Sequence, residues 1–435
     1  MKIIVIGAGE GGIAAAHGLA TGGHGVTVYE KNKREDLGYD WHDDVSQSLF
    51  TDLGIAVPDD CFFVKKDWSF IAPSADKWIK ISQSQNADEY SVERRPLKDI
   101  LIKRAEEAGV EFVFGQKIER LIIENTAVKG AVTQDGEIRA DIVIDSSGAL
   151  SPFRASLPRD IGIPSMPASY EIFHAYRGFF EKNPDEETDT VNTNKAYLKF
   201  LGRSGIAWCI QDSPTGQFNV LIGQTGALTQ NDLKSAFAFL KQDNPALTDK
   251  LIRGGITVSI PVRYPASKMV ADGYALVGDA AFMTIPMLGS GIASSIRAGK
   301  LLAETINKNL SAAAAGLWDY QVGFMTATGA KHAAIDILKR WLLDAKDEDL
   351  KYLMESGLIA EKDFNAAASG EMLVFKPYEL IQKALSGRDN LPLLLKLKSL
   401  ISKSKSAYKC GMNIPVLYDA QAVSAWQKKF DGIFD

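Results

Sequence analysis

The chain begins Met1-Lys2-Ile3-Ile4-Val5-Ile6 and runs at once into Gly7-Ala8-Gly9-Glu10-Gly11-Gly12. No other stretch limits the fold as tightly. Lys2 to Ile6 is a short β-branched apolar run, the pattern of a strand buried on both faces. Ile13-Ala14-Ala15-Ala16-His17-Gly18-Leu19-Ala20 predicts a helix, and Val26-Thr27-Val28-Tyr29 predicts a second strand ending at Glu30. Glycine at 7 permits the tight turn, glycine at 9 lets backbone approach a pyrophosphate, and glycine at 12 lets the helix close on the strand. The helix start offers free N–H groups to phosphate. Glu30 stands where an acid accepts ribose hydroxyls. These features predict a dinucleotide site, and on the loop alone NAD and FAD are equally served.

A second landmark lies far downstream. Tyr274-Ala275-Leu276-Val277 predicts a strand ending at Gly278-Asp279-Ala280-Ala281-Phe282, followed by Pro286, Leu288-Gly289-Ser290-Gly291 and a helix from Ser290 to Ile306. Tyr274 to Ile296 is the longest apolar stretch, but Asp279, Pro286 and its glycines argue against a membrane span. A carboxylate at the C-terminal edge of a parallel sheet sits where ligands bind, and it accepts hydrogen bonds from a polyol such as ribityl. The turn before the helix favours negative charge on a reduced flavin ring. A nicotinamide nucleotide has neither feature, so the two landmarks together favour FAD.

Between them, Ser91 to Leu97 leads into a helix from Lys98 to Ala108, then a strand from Val110 to Phe114. A hairpin-like series follows at Ile118–Ile123, Ala127–Thr133 and Glu137–Ala140, then a buried-type strand from Asp141 to Asp145. The length of 435 residues suits two or three domains. A net charge of -5 gives no pull toward nucleic acid. Cys61, Cys209 and Cys410 are too scattered to spell out a metal site or a redox pair. No signal peptide is legible at the start, and the cytoplasm is the expected location.

In order and spacing, Gly7/Gly9/Gly12 with Glu30-Lys31, Arg94 ahead of a helix, Asp145-Ser146-Ser147-Gly148 and Gly278-Asp279…Pro286…Gly289-Ser290-Gly291 resemble the p-hydroxybenzoate-hydroxylase-like flavoproteins. Within that group the chain looks most like the geranylgeranyl reductase branch. Gly205-Ile206-Ala207-Trp208 and Phe218-Asn219-Val220 are similar to that branch's tryptophan strand and the strand after it. The resemblance spans roughly residues 1–330. It implies an α/β fold with a Rossmann-like FAD-binding domain, a mostly antiparallel β substrate domain and a C-terminal helical region. The implied limits are 1–50, 91–168 and 266–330 for the first, 51–90 and 169–265 for the second, and 331–435 for the third. It places Arg94 at the FAD phosphate or ribityl, Glu30 with Lys31 at the adenosine ribose, Asp279 with Gly278 at the ribityl or pyrophosphate, and Gly289 to Gly291 beside the ring.

The chain also departs from the family's patterns. Ser147-Gly148 stands where the hydroxylases usually have Asp-Gly, an aspartate linked to nicotinamide handling. The segment Leu37 to Asp44 lacks the Cys-Gly of many reductases, and Cys209-Ile210-Gln211 replaces their Phe-Pro. The halogenases' Trp-x-Trp-x-Ile-Pro is absent.

Tyr39-Asp40-Trp41-His42-Asp43-Asp44 is the oddest segment. Over a flavin, His42 is the candidate proton donor to a substrate carbon, since imidazole titrates near neutrality. The competing reading is a surface or hinge loop with a structural His–Asp bond. Tyr39, Trp41, His174, Tyr176, Trp208 and Pro286 are the candidate pocket residues, while strand aromatics also serve as plain core. Past residue 331 the chain turns helical, with Ile335 to Leu343 amphipathic and Pro392 to Ile401 apolar ahead of the basic run Lys403 to Lys409. That last helix either packs on the protein with its lysines in water or makes peripheral contact with a membrane.

The resulting expectation is an FAD-dependent oxidoreductase that reduces a carbon–carbon double bond of a small apolar, isoprenoid-like substrate by hydride transfer from reduced flavin. Its electron donor is NAD(P)H or a reduced donor protein. The alternatives are a flavin monooxygenase acting on an aromatic or polyketide-like substrate, and a flavin-binding sensor or carrier without turnover.

Overall fold

The β-branched run Lys2–Ile6 lies at the heart of a six-stranded sheet. A computed structural model describes residues 1–56, 62–64, 67–73, 79–81, 89–188, 194–211, 216–368, 370–373, 379, 383 and 387–435. The sheet order is Val270–Ala271, Tyr274–Leu276, Ile142–Asp145, Lys2–Ile6, Gly25–Glu30, Glu111–Phe114. All neighbours are parallel except the short antiparallel pair at the Val270 edge. A parallel sheet needs cover on its faces. Helix Glu10–Thr21 supplies part of it and packs on helix Ile292–Asn309 almost backbone to backbone. A Cβ on Gly299 would fall 2.1 Å from the Gly11 carbonyl oxygen. The apolar run from Tyr274 onward is thus strand, short turn and helix start, buried in this core except around Leu288, which is exposed.

The hairpin series forms a three-stranded antiparallel sheet of Ile118–Glu124, Ala127–Thr133 and Gly136–Arg139. A seven-stranded sheet has the order Leu247–Pro261, Ile172–Lys182, Phe218–Thr225, Gly205–Ile210, Asn194–Leu198, Trp68–Ile71, Ile79–Ile81. All its pairs are antiparallel save that of Trp68–Ile71 with Asn194–Leu198. The stretch 51–90 is divided: Phe62–Val64 joins His42–Ser46 and Glu89–Glu93 in a small separate sheet, whereas Trp68–Ile71 and Ile79–Ile81 join the large one.

Two helix starts differ from the sequence expectation. The helix after Glu93 begins at Arg94, not Lys98, because Pro96 is tolerated in a first turn. The later helix begins at Ile292, with Gly291 as its N-cap. The C-terminal region is built on a long helix, Ala314–Phe324 and Ala330–Asp344, joined by a π-helical turn at Met325–Gly329. Helix Leu391–Met412 packs along it: Ser404 Oγ donates to the Ala334 carbonyl at 2.9 Å, and Ala407 and Gly411 are buried. Lys396, Lys398, Lys403, Lys405 and Lys409 remain exposed. Among the described residues no helix is long and apolar enough to cross a membrane. Cys209 and Cys410 are buried free thiols, and Cys61 lies outside the described residues.

Candidate flavin and substrate site

The glycine loop is pressed against the end of strand Ile142–Asp145. Gly7 has φ +89°, and a Cβ there would stand 2.8 Å from the Ser146 carbonyl oxygen. A Cβ on Gly9 would stand 2.6 Å from Ser146 Oγ, and one on Gly12 2.7 Å from Ser146 Cβ. Only glycine lets the backbone turn this closely. Helix Glu10–Thr21 then starts from Gly9 with no side-chain cap, leaving its first N–H groups for an anion. The buried Glu30 carboxylate is held by the Ala8 N–H at 2.8 Å and by the Asn32 N–H and side-chain amide, each at 2.9 Å.

From this loop a chain of paired, largely buried charge crosses to the large sheet. Lys98 Nζ donates to the Ala8 carbonyl at 2.7 Å and pairs with Glu10 at 3.0 Å. Arg94 bridges Glu10 at 2.7 Å and Asp43 at 2.8 Å. The other Asp43 oxygen takes Arg177 at 2.8 Å, and Arg177 also donates to Asn219 at 3.0 Å. The Arg177 guanidinium sits 5.4 Å from the Trp208 ring, 5.7 Å from Phe179 and 5.8 Å from Trp41. Burial alone would raise the Glu10 carboxyl; Arg94 and Lys98 outweigh it and hold that group at about 2. Asp279 behaves the other way. Burial pushes it up to about 6, with the Glu10 charge adding to the push, while Thr284 Oγ1, which donates to it at 3.1 Å, and Arg94 oppose.

One cavity of about 1240 Å³ joins these parts. It runs from the glycine loop, past Asp279 and the Pro286–Ser294 turn, to the floor of the large sheet and the wall of helix Ala330–Asp344. Of the expected site residues, the structure brings Gly7, Gly9, Glu30, Lys31, Arg94, Gly278, Asp279, Gly289 and Gly291 to the cofactor end. Tyr39, Trp41, His42, Trp208 and Pro286 line the middle. Gly12 lies under the loop, against Ser146 and Val5. The segment from Tyr39 is not a surface loop beyond Trp41. His42–Ser46 is a strand paired with Glu89–Glu93, and buried His42 meets Phe179 edge-on at 5.3 Å between centroids.

His174 and Tyr176 are corrections. Successive side chains of a strand point to opposite faces. In Ile172–Lys182 the cavity face carries Phe173, Ala175 and Arg177. His174 lies near Ser259 Oγ at 3.1 Å, and Tyr176 packs against the separate core of Phe180, Tyr197 and Val220.

Sequence reasoning missed Glu10, Asp43, Lys98, Asn219 and Arg177 as partners. The alternation along Phe173 to Arg177 was visible, but nothing in the sequence says which parity faces inward.

The chain matches the FAD binding domain family over residues 72–322. It belongs to that family. FAD is its cofactor, and the site fits the group: a glycine cradle that any Cβ would fill, an uncapped helix start and two acids, Glu30 and Asp279, facing the cavity. The chain is 24% identical to a digeranylgeranylglycerophospholipid reductase from Sulfolobus acidocaldarius, over 99% of this chain and 96% of that one. It is 27% identical to a protein of the same name from Methanothrix thermoacetophila, over 81% and 90%. In fold it is similar to a geranylgeranyl bacteriochlorophyll reductase-like protein from Thermoplasma acidophilum, with TM-score 0.72, 21% identity and coverage of 92% and 99%. A flavin-dependent brominase shares the fold at TM-score 0.63 and 17% identity, over 91% and 100%. The expected α/β flavoprotein fold with a helical C-terminal region therefore holds.

Proposed function

We propose that the protein is an FAD-dependent reductase that adds hydrogen across a carbon–carbon double bond of an apolar, isoprenoid-like substrate. The cavity carries this reading. Its volume of about 1240 Å³ exceeds the roughly 300–1,000 Å³ of a single-ligand pocket. Away from the glycine loop the sheet and helix walls contribute Phe173, Leu221, Trp208, Leu342 and Leu343, with charged residues such as Arg177, Lys199 and Lys339 among them. A cofactor end and a partly apolar chamber in one continuous space suit a flavin and a greasy substrate. The curated relatives' name supports the same reading.

When bound and reduced, FAD supplies hydride. The protein's own groups do the rest. The uncapped helix starts at Glu10 and Ile292 face the cavity with their positive ends, and favour phosphate and a reduced ring. Glu30 and Asp279 accept hydroxyl hydrogen bonds from ribose and ribityl. Trp208 and Phe173 keep water off the reacting carbon. His42, buried in the cavity wall, is the proton donor of this proposal. NAD(P)H or a reduced protein carrier recharges the flavin, and the basic helix Leu391–Met412 offers peripheral contact with a cytoplasmic membrane face.

The test is anaerobic. Flavin in the holoprotein is reduced with dithionite and mixed with an unsaturated isoprenoid lipid. The expected result is flavin reoxidation without oxygen and a product that gains one pair of hydrogens per double bond by mass spectrometry. A product that gains an oxygen atom, only after oxygen is admitted, would replace the reductase with the monooxygenase. His42→Gln is expected to keep FAD and slow this reoxidation by on the order of a hundredfold; an unchanged rate removes His42 from the reaction.

A further inference from the structure

We propose that His332 anchors the substrate by hydrogen-bonding an uncharged oxygen (a hydroxyl, ether or carbonyl) on an otherwise apolar molecule. This rests on the reductase reading and adds to it the substrate's polar feature and the residue that recognises it. The anchor fixes how far the chain extends toward the flavin end, and so which double bond reacts.

The observations come from one patch of wall. The helix through 314–344 is interrupted by the π-helical turn Met325–Gly329, just ahead of His332. Such insertions recur at functional sites, because they re-aim the side chains around them. Thr328 and His332 both line the cavity. His332 is 2% exposed, and its Nδ1 has no hydrogen-bond partner among the described residues. A buried polar atom without a partner is costly, and a ligand atom is one way to satisfy it. Gly370 lies beside the ring: a Cβ there would stand 3.6 Å from Nε2 and 3.3 Å from Ile285 Cδ1.

The charge around the ring selects the ligand class. Burial and the neighbouring Lys331 ammonium hold the imidazole down at about 4, so near neutral pH it is uncharged, with one donor and one acceptor. The cations on this wall are already paired, Lys331 with Glu371 at 2.9 Å and Lys339 with Asp336 at 2.9 Å. Among the described residues a phosphate would meet no unpaired cation on this wall, whereas a neutral oxygen meets a neutral ring. The patch also lies beyond residue 322, where the match to the FAD family ends.

The experiment compares an isoprenoid alcohol, its diphosphate and the hydrocarbon of the same chain length. Each is titrated into FAD-loaded protein, with the flavin absorbance change as the binding readout. In the wild type the alcohol is expected to bind about tenfold more tightly than the hydrocarbon. His332→Phe is expected to erase that preference with FAD content unchanged, and His332→Gln, which keeps a donor and an acceptor, to restore much of it. A wild type with no preference for the alcohol overturns the proposal without recourse to any variant. So does a preference that survives in His332→Phe, or tighter binding of the diphosphate than of the alcohol. If the preference depends on His332 but no ligand is ever reduced, the anchor stands and the reductase reading falls. If reduction proceeds with no His332-dependent preference, the reverse holds.

Discussion

The two ends of the cavity are built on opposite principles. At the cofactor end, backbone is forced close by glycines, and buried Lys98 and partly buried Glu10, Arg94 and Asp43 are locked pairwise with buried Arg177 as the last link. At the helical end, charges pair off at the rim, and one neutral imidazole is left without a partner among the described residues. The first arrangement spends its electrostatics within the protein, so it is rigid before any ligand arrives. The second keeps a polar atom in reserve. A cofactor held for many turnovers suits the first; a substrate that must enter and leave suits the second.

Removing a link from the rigid end should therefore cost the most stability. Arg177→Met takes away one partner of the partly buried Asp43 carboxylate and the nearer donor to Asn219, which keeps only Trp208 Nε1 at 3.4 Å. Breaking a buried pair from one side costs roughly 3–5 kcal/mol. Because Arg94 still holds Asp43, which is 28% exposed, about 2 kcal/mol lost in urea unfolding is the expected value. A loss below about 1 kcal/mol would mean that this end is no more rigid than a surface ion pair, and the contrast would fail.

A second effect is expected where the rigid end meets ligand. Asp279→Ala removes the acceptor proposed for ribityl hydroxyls while sparing the charge chain. Hydrogen bonds to charged groups contribute about 1.5–3 kcal/mol, so FAD titrated into apoprotein should bind about ten- to a hundredfold more weakly. His332→Phe should leave FAD affinity unchanged. Equal losses for both would erase the distinction between the ends.

How much of this was legible follows the same division. The cofactor end is written into local backbone requirements: Gly7 must take positive φ, and Gly9 and Gly12 must admit Ser146. Such requirements leave fixed residue types at fixed spacings, so the loop, Glu30, Arg94 and Asp279 could all be singled out in the sequence. Tertiary partnership leaves no such trace. Arg177 and His174 sit on one strand, and only the packing of the large sheet decides that 173, 175 and 177 face the cavity. His332 sits in an amphipathic helix like any core residue. What marks it is the π-helical turn before it and the cavity beside it, both products of the folded chain.

A pH titration separates two carboxylates of the rigid end by the sign of their pH dependence. Glu10 is held at about 2, below its ordinary value of 4.5. Its contribution to stability is present above that ordinary value and fades as pH falls toward 2. Asp279 is raised from 3.8 to about 6, so the folded protein keeps a proton that the unfolded chain releases. Its contribution is full below about pH 3.8 and is lost as pH rises to 6. Apoprotein should therefore lose stability over that interval, and Asp279→Asn, which cannot ionise, should flatten the fall. Urea midpoints at steps from pH 4 to 7 would show the gap between variant and wild type widening up to about 6 and then levelling. Saturating FAD should narrow it, because hydroxyls donated to Asp279 favour the carboxylate. A gap independent of pH would mean that Asp279 is already ionised in the empty site, and that the cofactor end carries less strain than its burial implies.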